Sequence, residues 1–87
     1  MRSYEILPSL LNKLSRIAKK DRALYEQVIK KVEEICSSGD VDHYKNLRYS
    51  LKELKRVHIG HFVLVFEYLK AEDKIIFTDF GHHDKIY

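Results

Sequence analysis

Residues 54–69 read LKRVHIGHFVLVFEYL, and this stretch decides the fold. Its first six positions alternate, which predicts a β-strand with Val57 and Ile59 on one face. Arg56 and His58 then lie together on the other face, which is expected to be the open side of the sheet if Val57 and Ile59 face the core. A glycine and a histidine follow and fit a tight turn, after which eight nearly continuous apolar positions are typical of a central strand. The stretch therefore predicts an antiparallel β-hairpin.

The segments on either side of this hairpin supply two more strands and two helices. Residues 74–80 form a further apolar run, and residues 2–7 alternate before Pro8, which lacks the N–H that a continuing strand needs. Between them, apolar side chains recur at helical spacing in two runs that meet at Asp21, a suitable N-cap, and the second run stops before Gly39. The order β-α-α-β-β-β predicts an α+β fold in which a two-helix hairpin packs on a small antiparallel sheet.

Length and composition limit the class of protein. Hydrophobic positions are 45% and charged positions 33% of 87 residues, which is typical of a folded domain rather than a disordered tail. We expect residues 1–87 to form a single domain with a small core. Cys36 is the one cysteine, so no internal disulfide is expected, and the chain opens without the apolar run of a signal peptide. No apolar stretch approaches the length of a membrane span, so the sequence predicts a cytoplasmic protein without a membrane partner.

Positive charge is concentrated in one segment, although the net charge is only +3. Residues 43–61 contain a single acid, Glu53, and all five histidines of the chain lie beyond residue 42. The cations of this segment are Lys45, Arg48, Lys52, Lys55 and Arg56. Arginine and lysine hold RNA phosphates, and imidazoles exchange protons near neutral pH. The segment therefore indicates an RNA-binding surface that could also carry acid–base chemistry.

Histidines and cations are sufficient to cleave RNA without a metal. The 2′-hydroxyl attacks, one group removes its proton, another protonates the departing 5′-oxygen, and a cation stabilises the pentavalent phosphorus. Zinc binding is the competing interpretation, but no second cysteine completes a familiar ligand set, so no metal and no other cofactor is predicted. Because His82 and His83 are adjacent, an extended backbone points them to opposite sides, and at least one is expected at the surface or in packing.

Three parts of the chain resemble the RelE/ParE toxin superfamily of type II toxin–antitoxin systems. The basic strand that reaches Gly60 and turns into an apolar strand is similar to the central strands of that family. The resemblance also includes Leu47, and residues 81–87 (GHHDKIY) resemble the family's closing Gly-His-Arg-x-x-Val-Tyr. The resemblance implies a RelE-like, microbial-RNase-like fold over essentially the whole chain, and a toxin that cleaves mRNA without metal.

The resemblance also implies roles for individual residues. Arg56 and His58 match the basic residues of the family's second strand, Tyr87 matches its terminal tyrosine, and His83 stands where RelE has an arginine. The histidine-based YafQ branch is the better match. On this basis His83 is expected to be the general acid, with His58 or His61 as the base. Arg56, together with Lys52 or Lys55, is expected to stabilise the phosphorane, and Tyr87 is expected to stack on or orient the scissile nucleotide. The expected substrate-binding residues are Lys45, Arg48, Lys52 and Lys55.

Partners and alternatives follow from the same resemblance. It implies a cognate RelB-like antitoxin protein, with mRNA and the ribosome as targets, and binding to promoter DNA only through the antitoxin. Val63 stands where RelE-type sequences usually have an arginine, so the arginine-based apparatus is depleted. Two other interpretations stay open. One is a non-enzymatic module, either a ParE-like gyrase inhibitor or a catalytically decayed antitoxin-binding domain, and the other is plain RNA binding.

Overall fold

The computed structural model describes residues 1–45 and 54–86. The helices and strands follow the predicted order, which confirms the α+β class, and a 3₁₀ turn and a one-turn helix are added to it. Among the helices of the described residues, none combines the length and the apolar character that a membrane span requires. The elements are β1 (Ser3–Ile6), α1 (Pro8–Lys20), α2 (Arg22–Ser37), the 3₁₀ turn (Val41–His43), β2 (Leu54–Ile59), β3 (Phe62–Leu69), β4 (Lys74–His82) and α3 (His83–Ile86).

The two long helices begin and end where the sequence predicts. Pro8 occupies the first turn of α1, where a missing N–H costs no helical hydrogen bond. The helices meet at Asp21, whose carboxylate accepts a hydrogen bond from the Leu24 N–H at 3.1 Å, so the predicted N-cap is confirmed. Both helices bury one stripe against the sheet. The buried helical side chains are Leu10, Leu14, Val28, Val32, Ile35 and Cys36.

The sheet is mixed rather than purely antiparallel. Its strand order is β1-β4-β3-β2, and the last three strands of the chain pair antiparallel as predicted. The expectation of an antiparallel sheet is wrong for β1, which runs parallel to β4 with Ser3 opposite Lys74 and Ile6 opposite Phe77. Side-chain alternation tells which residues share a face but not the direction of the partner strand. The long helical connection supplies the crossover that parallel pairing needs.

The core lies between the two helices and one face of the sheet. Phe66 and Phe77 are fully buried on neighbouring strands, with ring centroids 5.9 Å apart. The register then shifts, so that Thr78 is the extra residue of a β-bulge and both Phe77 and Phe80 turn toward the helices. Beyond the bulge, β4 continues until His82 lies opposite the first residue of β3. The bulge therefore sets the direction in which the end of β4 approaches the β2–β3 turn.

Arg2 fastens the start of the chain to the turn between β3 and β4. Its Nε donates to an Asp73 carboxylate oxygen at 2.7 Å, and its Nη1 donates to the carbonyl oxygens of Ser38 and Cys36. The Tyr68 hydroxyl donates to the same oxygen of Asp73 at 2.9 Å. The hydroxyl of Tyr68 and then the guanidinium of Arg2 hold the pKa of Asp73 below its ordinary value of 3.8.

We expect Asp73 to make the stability of the fold sensitive to acid. Because its folded-state pKa is depressed, the ionised carboxylate stabilises the fold above the unfolded-state value of 3.8, and this contribution is lost as the pH falls through the folded-state pKa. Asp73→Asn should therefore melt below the wild-type chain near pH 7, and the difference should shrink in strong acid. Asparagine tolerates the φ of 50° at this position.

Thermal unfolding followed by circular dichroism over a pH series measures this effect. Glu72→Gln, at the preceding position of the same turn, is the matched control for the loss of one exposed acid. A melting difference between Asp73→Asn and the wild-type chain that stays constant across the pH series would contradict the prediction.

Candidate active site

The strand β2 presents a guanidinium and an imidazole in contact. Arg56 and His58 lie on the same face of the strand, as alternation predicts, and Arg56 Nη1 lies 3.0 Å from His58 Nε2. A guanidinium N–H can only donate, so Nε2 of His58 accepts and carries a lone pair. An imidazole with an acceptor nitrogen can serve as a general base once the guanidinium turns from Nε2 to the substrate, and that guanidinium supplies the positive charge that a phosphorane needs.

A second group of imidazoles lies at the same end of the sheet. Strand β4 ends at His82, opposite Phe62, and α3 begins at His83. The backbone N–H of His83 donates to the carbonyl oxygen of His61 at 3.0 Å, and His83 Nδ1 lies 3.3 Å from the same oxygen. The rings of His61 and His82 stack with their centroids 6.2 Å apart. The fold therefore brings three histidines together beside the β2–β3 turn.

Strand register fixes the separation between the two groups. His58 lies opposite Val63, and Val63 lies opposite Gly81. Since neighbouring strands are 4.7–4.9 Å apart, the backbones of His58 and Gly81 are about 10 Å apart, and His83 follows two residues later. Imidazoles that extend from positions at this spacing can reach opposite sides of one phosphodiester. The geometry is thus suitable for one base and one acid.

The face that carries Arg56 and His58 is not an open sheet surface, which corrects the expectation from the sequence. Val63 and Val65 lie on that face and are only 0% and 2% exposed. Helix α3 packs against it, since the Ile86 side chain lies 3.5 Å from the position that a Cβ would take at Gly81. A Cβ at Gly81 would lie in ordinary van der Waals contact with this side chain. His58, on the edge strand, remains exposed.

The other predicted cations lie in different places. The carbonyl oxygen of Lys45 accepts the Arg56 N–H at 2.9 Å, so Lys45, whose side chain is exposed, lies beside the edge of β2. Lys55 lies on the opposite face from Arg56 and is only 9% exposed. Its Nζ lies 3.3 Å from the Tyr44 carbonyl oxygen and 3.8 Å from an Asp42 carboxylate oxygen. These contacts give Lys55 a structural role. Arg48, Lys52 and Tyr87 lie outside the described residues.

Sequence reasoning missed Asp84 and the position of His82. The ring centroids of His82 and His83 are 4.7 Å apart, because the strand ends and α3 begins between the two residues. The expectation that adjacent histidines point to opposite sides is therefore wrong here. Asp84 Oδ1 lies 2.9 Å from His83 Nε2, and its Oδ2 lies 3.5 Å from His82 Nδ1. In the sequence, this cluster was indicated only by three consecutive residues at 82–84 of types that commonly bind metal ions.

A groove of about 380 Å³ opens beside His58, between α2 and the end of β2. Lys31 in its wall lies 3.2 Å from the Glu34 carboxylate, while Lys30 is exposed. A groove of this size lies within the range of natural ligand sites. It extends the polar surface around His58 toward α2. The lining residues are Gln27, Lys30, Lys31, Glu34, His58, Ile59 and Gly60.

The chain packs two amphipathic helices on a four-stranded sheet in the order β-α-α-β-β-β, with basic and histidine side chains gathered at one end. This combination defines the RelE/ParE class of small α+β toxins. Residues 4–87 match the family of the ParE toxin of type II toxin–antitoxin systems, parDE, and the chain belongs to this family.

Individual relatives agree with this assignment. The chain is 46% identical over 88 residues to a Methanocaldococcus jannaschii protein that bears the name RelE4, covering 100% of this chain and 92% of that protein. The metal-bound toxin from Helicobacter pylori has a similar structure, with a TM-score of 0.80, 21% identity and full coverage of both chains. A chain of the E. coli RelBE toxin–antitoxin complex has a TM-score of 0.74 at 15% identity, covering 94% of this chain and 96% of that one. The two solved structures establish similarity of fold.

Proposed function

We propose that this toxin is a metal-independent endoribonuclease that cleaves mRNA on the ribosome and so inhibits translation. The observation that carries the proposal is the contact between Arg56 Nη1 and His58 Nε2, on the same end of the sheet as the His61–His83 contact. A base, a cation and a second imidazole are the groups that cleavage by the 2′-hydroxyl requires. Membership in a toxin family supports the cellular role.

In the proposed reaction, an imidazole on β2 or in the adjoining turn starts the attack. His58, whose Nε2 carries a lone pair, or His61 accepts the 2′-hydroxyl proton while the 2′-oxygen forms a bond to phosphorus. The Arg56 guanidinium stabilises the charge on the phosphorane. The bond from phosphorus to the 5′-oxygen then breaks, and His83 donates a proton to that oxygen. The products are a 2′,3′-cyclic phosphate and a 5′-hydroxyl end.

Binding of the RNA is proposed to rest on the cations of residues 43–61. Lys45 is exposed beside Arg56, where it can hold a phosphate that flanks the scissile one. We propose the same role for Arg48 and Lys52, and stacking on the scissile nucleotide for Tyr87. Lys55 is assigned to the fold rather than to the substrate, because it is buried near Asp42.

The proposed protein partner is a RelB-like antitoxin that neutralises the toxin. The structural similarity to a chain of the E. coli RelBE complex supports this partner. The proposed targets, mRNA and the ribosome, imply action in the cytoplasm, and promoter DNA would be reached only through the antitoxin. No membrane partner is proposed.

Primer extension on mRNA from cells that express the toxin tests the nuclease. We expect new 5′ ends that are phased with codons, and the same cuts by purified toxin with ribosomes in the presence of EDTA. Intact mRNA in both assays would contradict the proposal.

A gyrase inhibitor is the second candidate, and the ParE description of the matched family favours it. This candidate predicts intact mRNA together with altered plasmid supercoiling in expressing cells and inhibition of purified gyrase. The two candidates therefore give opposite results in the mRNA and supercoiling assays.

Lys45→Ala is expected to weaken binding of single-stranded RNA and to reduce its salt dependence. Loss of one phosphate contact lowers the slope of log K against log salt by about 0.7. Fluorescence anisotropy with an uncleavable 2′-deoxy substrate at several salt concentrations measures both quantities. Lys74→Ala, at the opposite end of β4, is the matched control and should keep the wild-type slope. Equal slopes for Lys45→Ala and the wild-type chain would remove Lys45 from the site.

A further inference from the structure

The residues His82, His83 and Asp84 form a compact set of potential metal ligands at the end of β4. One ring nitrogen from each histidine and a carboxylate oxygen lie within 4.8 Å of one another. The carboxylate oxygens are 2.9 Å from His83 Nε2 and 3.5 Å from His82 Nδ1. In a tetrahedral zinc site, bonds of about 2.0–2.1 Å place the ligand atoms roughly 3.3 Å apart. The two carboxylate–imidazole separations, which involve different oxygens of Asp84, lie on either side of this value.

The ring nitrogens of both histidines face defined polar partners. His83 Nδ1 lies 3.3 Å from the His61 carbonyl oxygen, and its Nε2 lies 2.9 Å from an Asp84 carboxylate oxygen. Both oxygens can only accept, so a hydrogen on Nε2 bonds to the carboxylate, and a metal ion that binds Nε2 replaces this hydrogen. His82 Nδ1 accepts the backbone N–H of Asp84 at 3.4 Å, so this nitrogen carries a lone pair. A carbonyl oxygen behind a ligating imidazole is the usual support of a metal-bound histidine. The His61 carbonyl oxygen is placed to support His83 in this way.

The backbone that presents these side chains is held in place by the sheet. His82 pairs with Phe62 across β3 and β4, and the rings of these two residues meet edge to face with centroids 5.9 Å apart. The His83 N–H bond to the His61 carbonyl oxygen fixes the next residue. Ligands carried by an ordered backbone lose less conformational freedom when an ion binds than ligands on an unstructured segment.

We infer that His82, His83 and Asp84 bind one divalent transition-metal ion of the Zn²⁺ class, with water in the remaining positions. Two imidazoles and a carboxylate suit zinc, whereas Mg²⁺ and Ca²⁺ prefer oxygen ligands throughout. The site shares His83 with the proposed nuclease. If the proposed function holds, an ion on Nε2 prevents His83 from donating a proton, so zinc inhibits RNA cleavage.

Calorimetric titration of the tag-free chain with ZnCl₂ tests the site without RNA. We expect one equivalent of zinc to bind, and His82→Ala and Asp84→Asn each to weaken binding at least roughly tenfold, the smallest loss usual for a supporting partner alone. His43→Ala removes an exposed histidine in the 3₁₀ turn and is the matched control, with wild-type affinity expected. No binding, or equal binding by His82→Ala and the wild-type chain, overturns the inference.

Cleavage assays with and without added Zn²⁺ separate this inference from the proposed function. A chain that binds zinc through these residues but cuts no RNA overturns the nuclease and supports the metal site. A chain that cuts RNA but binds no zinc overturns the metal site alone.

Discussion

Replacement of His83 by alanine is expected to lower the rate of RNA cleavage by ~10²–10⁴-fold, because the variant lacks the side chain that we propose protonates the departing 5′-oxygen. The fold should persist, since the His83 side chain is 43% exposed and the backbone N–H at this position keeps its bond to the His61 carbonyl oxygen. Cleavage of mRNA by purified toxin with ribosomes, in the presence of EDTA, measures the rate. Circular dichroism and antitoxin pull-down should give wild-type results.

A modified substrate separates the role of acid from a general loss of the site. In RNA with sulfur in place of the bridging 5′-oxygen at the cut, the leaving group is a thiolate, which departs without protonation because thiols are much stronger acids than alcohols. His83→Ala should therefore cut this substrate at close to the wild-type rate. His43→Ala is the control for loss of a histidine and should cut both substrates normally. Equal slowing of His83→Ala on both substrates, or no slowing on either, would show that His83 is not the acid.

The elements whose causes are local were predictable from the sequence. Alternation in residues 54–59 indicates β2 and the shared face of Arg56 and His58, and the structure has both. The helix boundary at Asp21 depends on one side chain and the next turn of backbone, so composition and spacing were sufficient to find it. The same alternation sets Lys55 apart from Arg56, although its positive charge suggested a substrate contact.

The features that depend on distant contacts were not predictable. The parallel pairing of β1 with β4 depends on how a long helical connection returns the chain, which no local pattern records. The cover over Val63 comes from α3, whose four residues are too few to show a helical period. That helix begins between His82 and His83, so two imidazoles expected on opposite sides lie 4.7 Å apart between ring centroids. The proposed metal site is a consequence of that one change of backbone direction.

Adjacent leucines on α1 provide the second prediction with a large effect. Leu10 is 1% exposed and belongs to the core, whereas Leu11 is 51% exposed. Leu10→Ala should lower the free energy of unfolding by about 2–5 kcal/mol, because it removes buried methyl groups and leaves a cavity. Leu11→Ala is the matched control and should change that free energy by less than about 0.5 kcal/mol. Urea denaturation followed by circular dichroism measures both.

The size of this loss matters because the whole fold is marginally stable. Domains of this kind are stable by about 5–15 kcal/mol in total, so a loss of about 5 kcal/mol unfolds a large share of the protein when its total lies at the lower end of that range. A partner that binds only the folded chain restores stability by mass action, so the proposed antitoxin should raise the melting temperature of Leu10→Ala when added in excess. If Leu10→Ala and Leu11→Ala lower stability equally, the assignment of the core face of α1 is wrong.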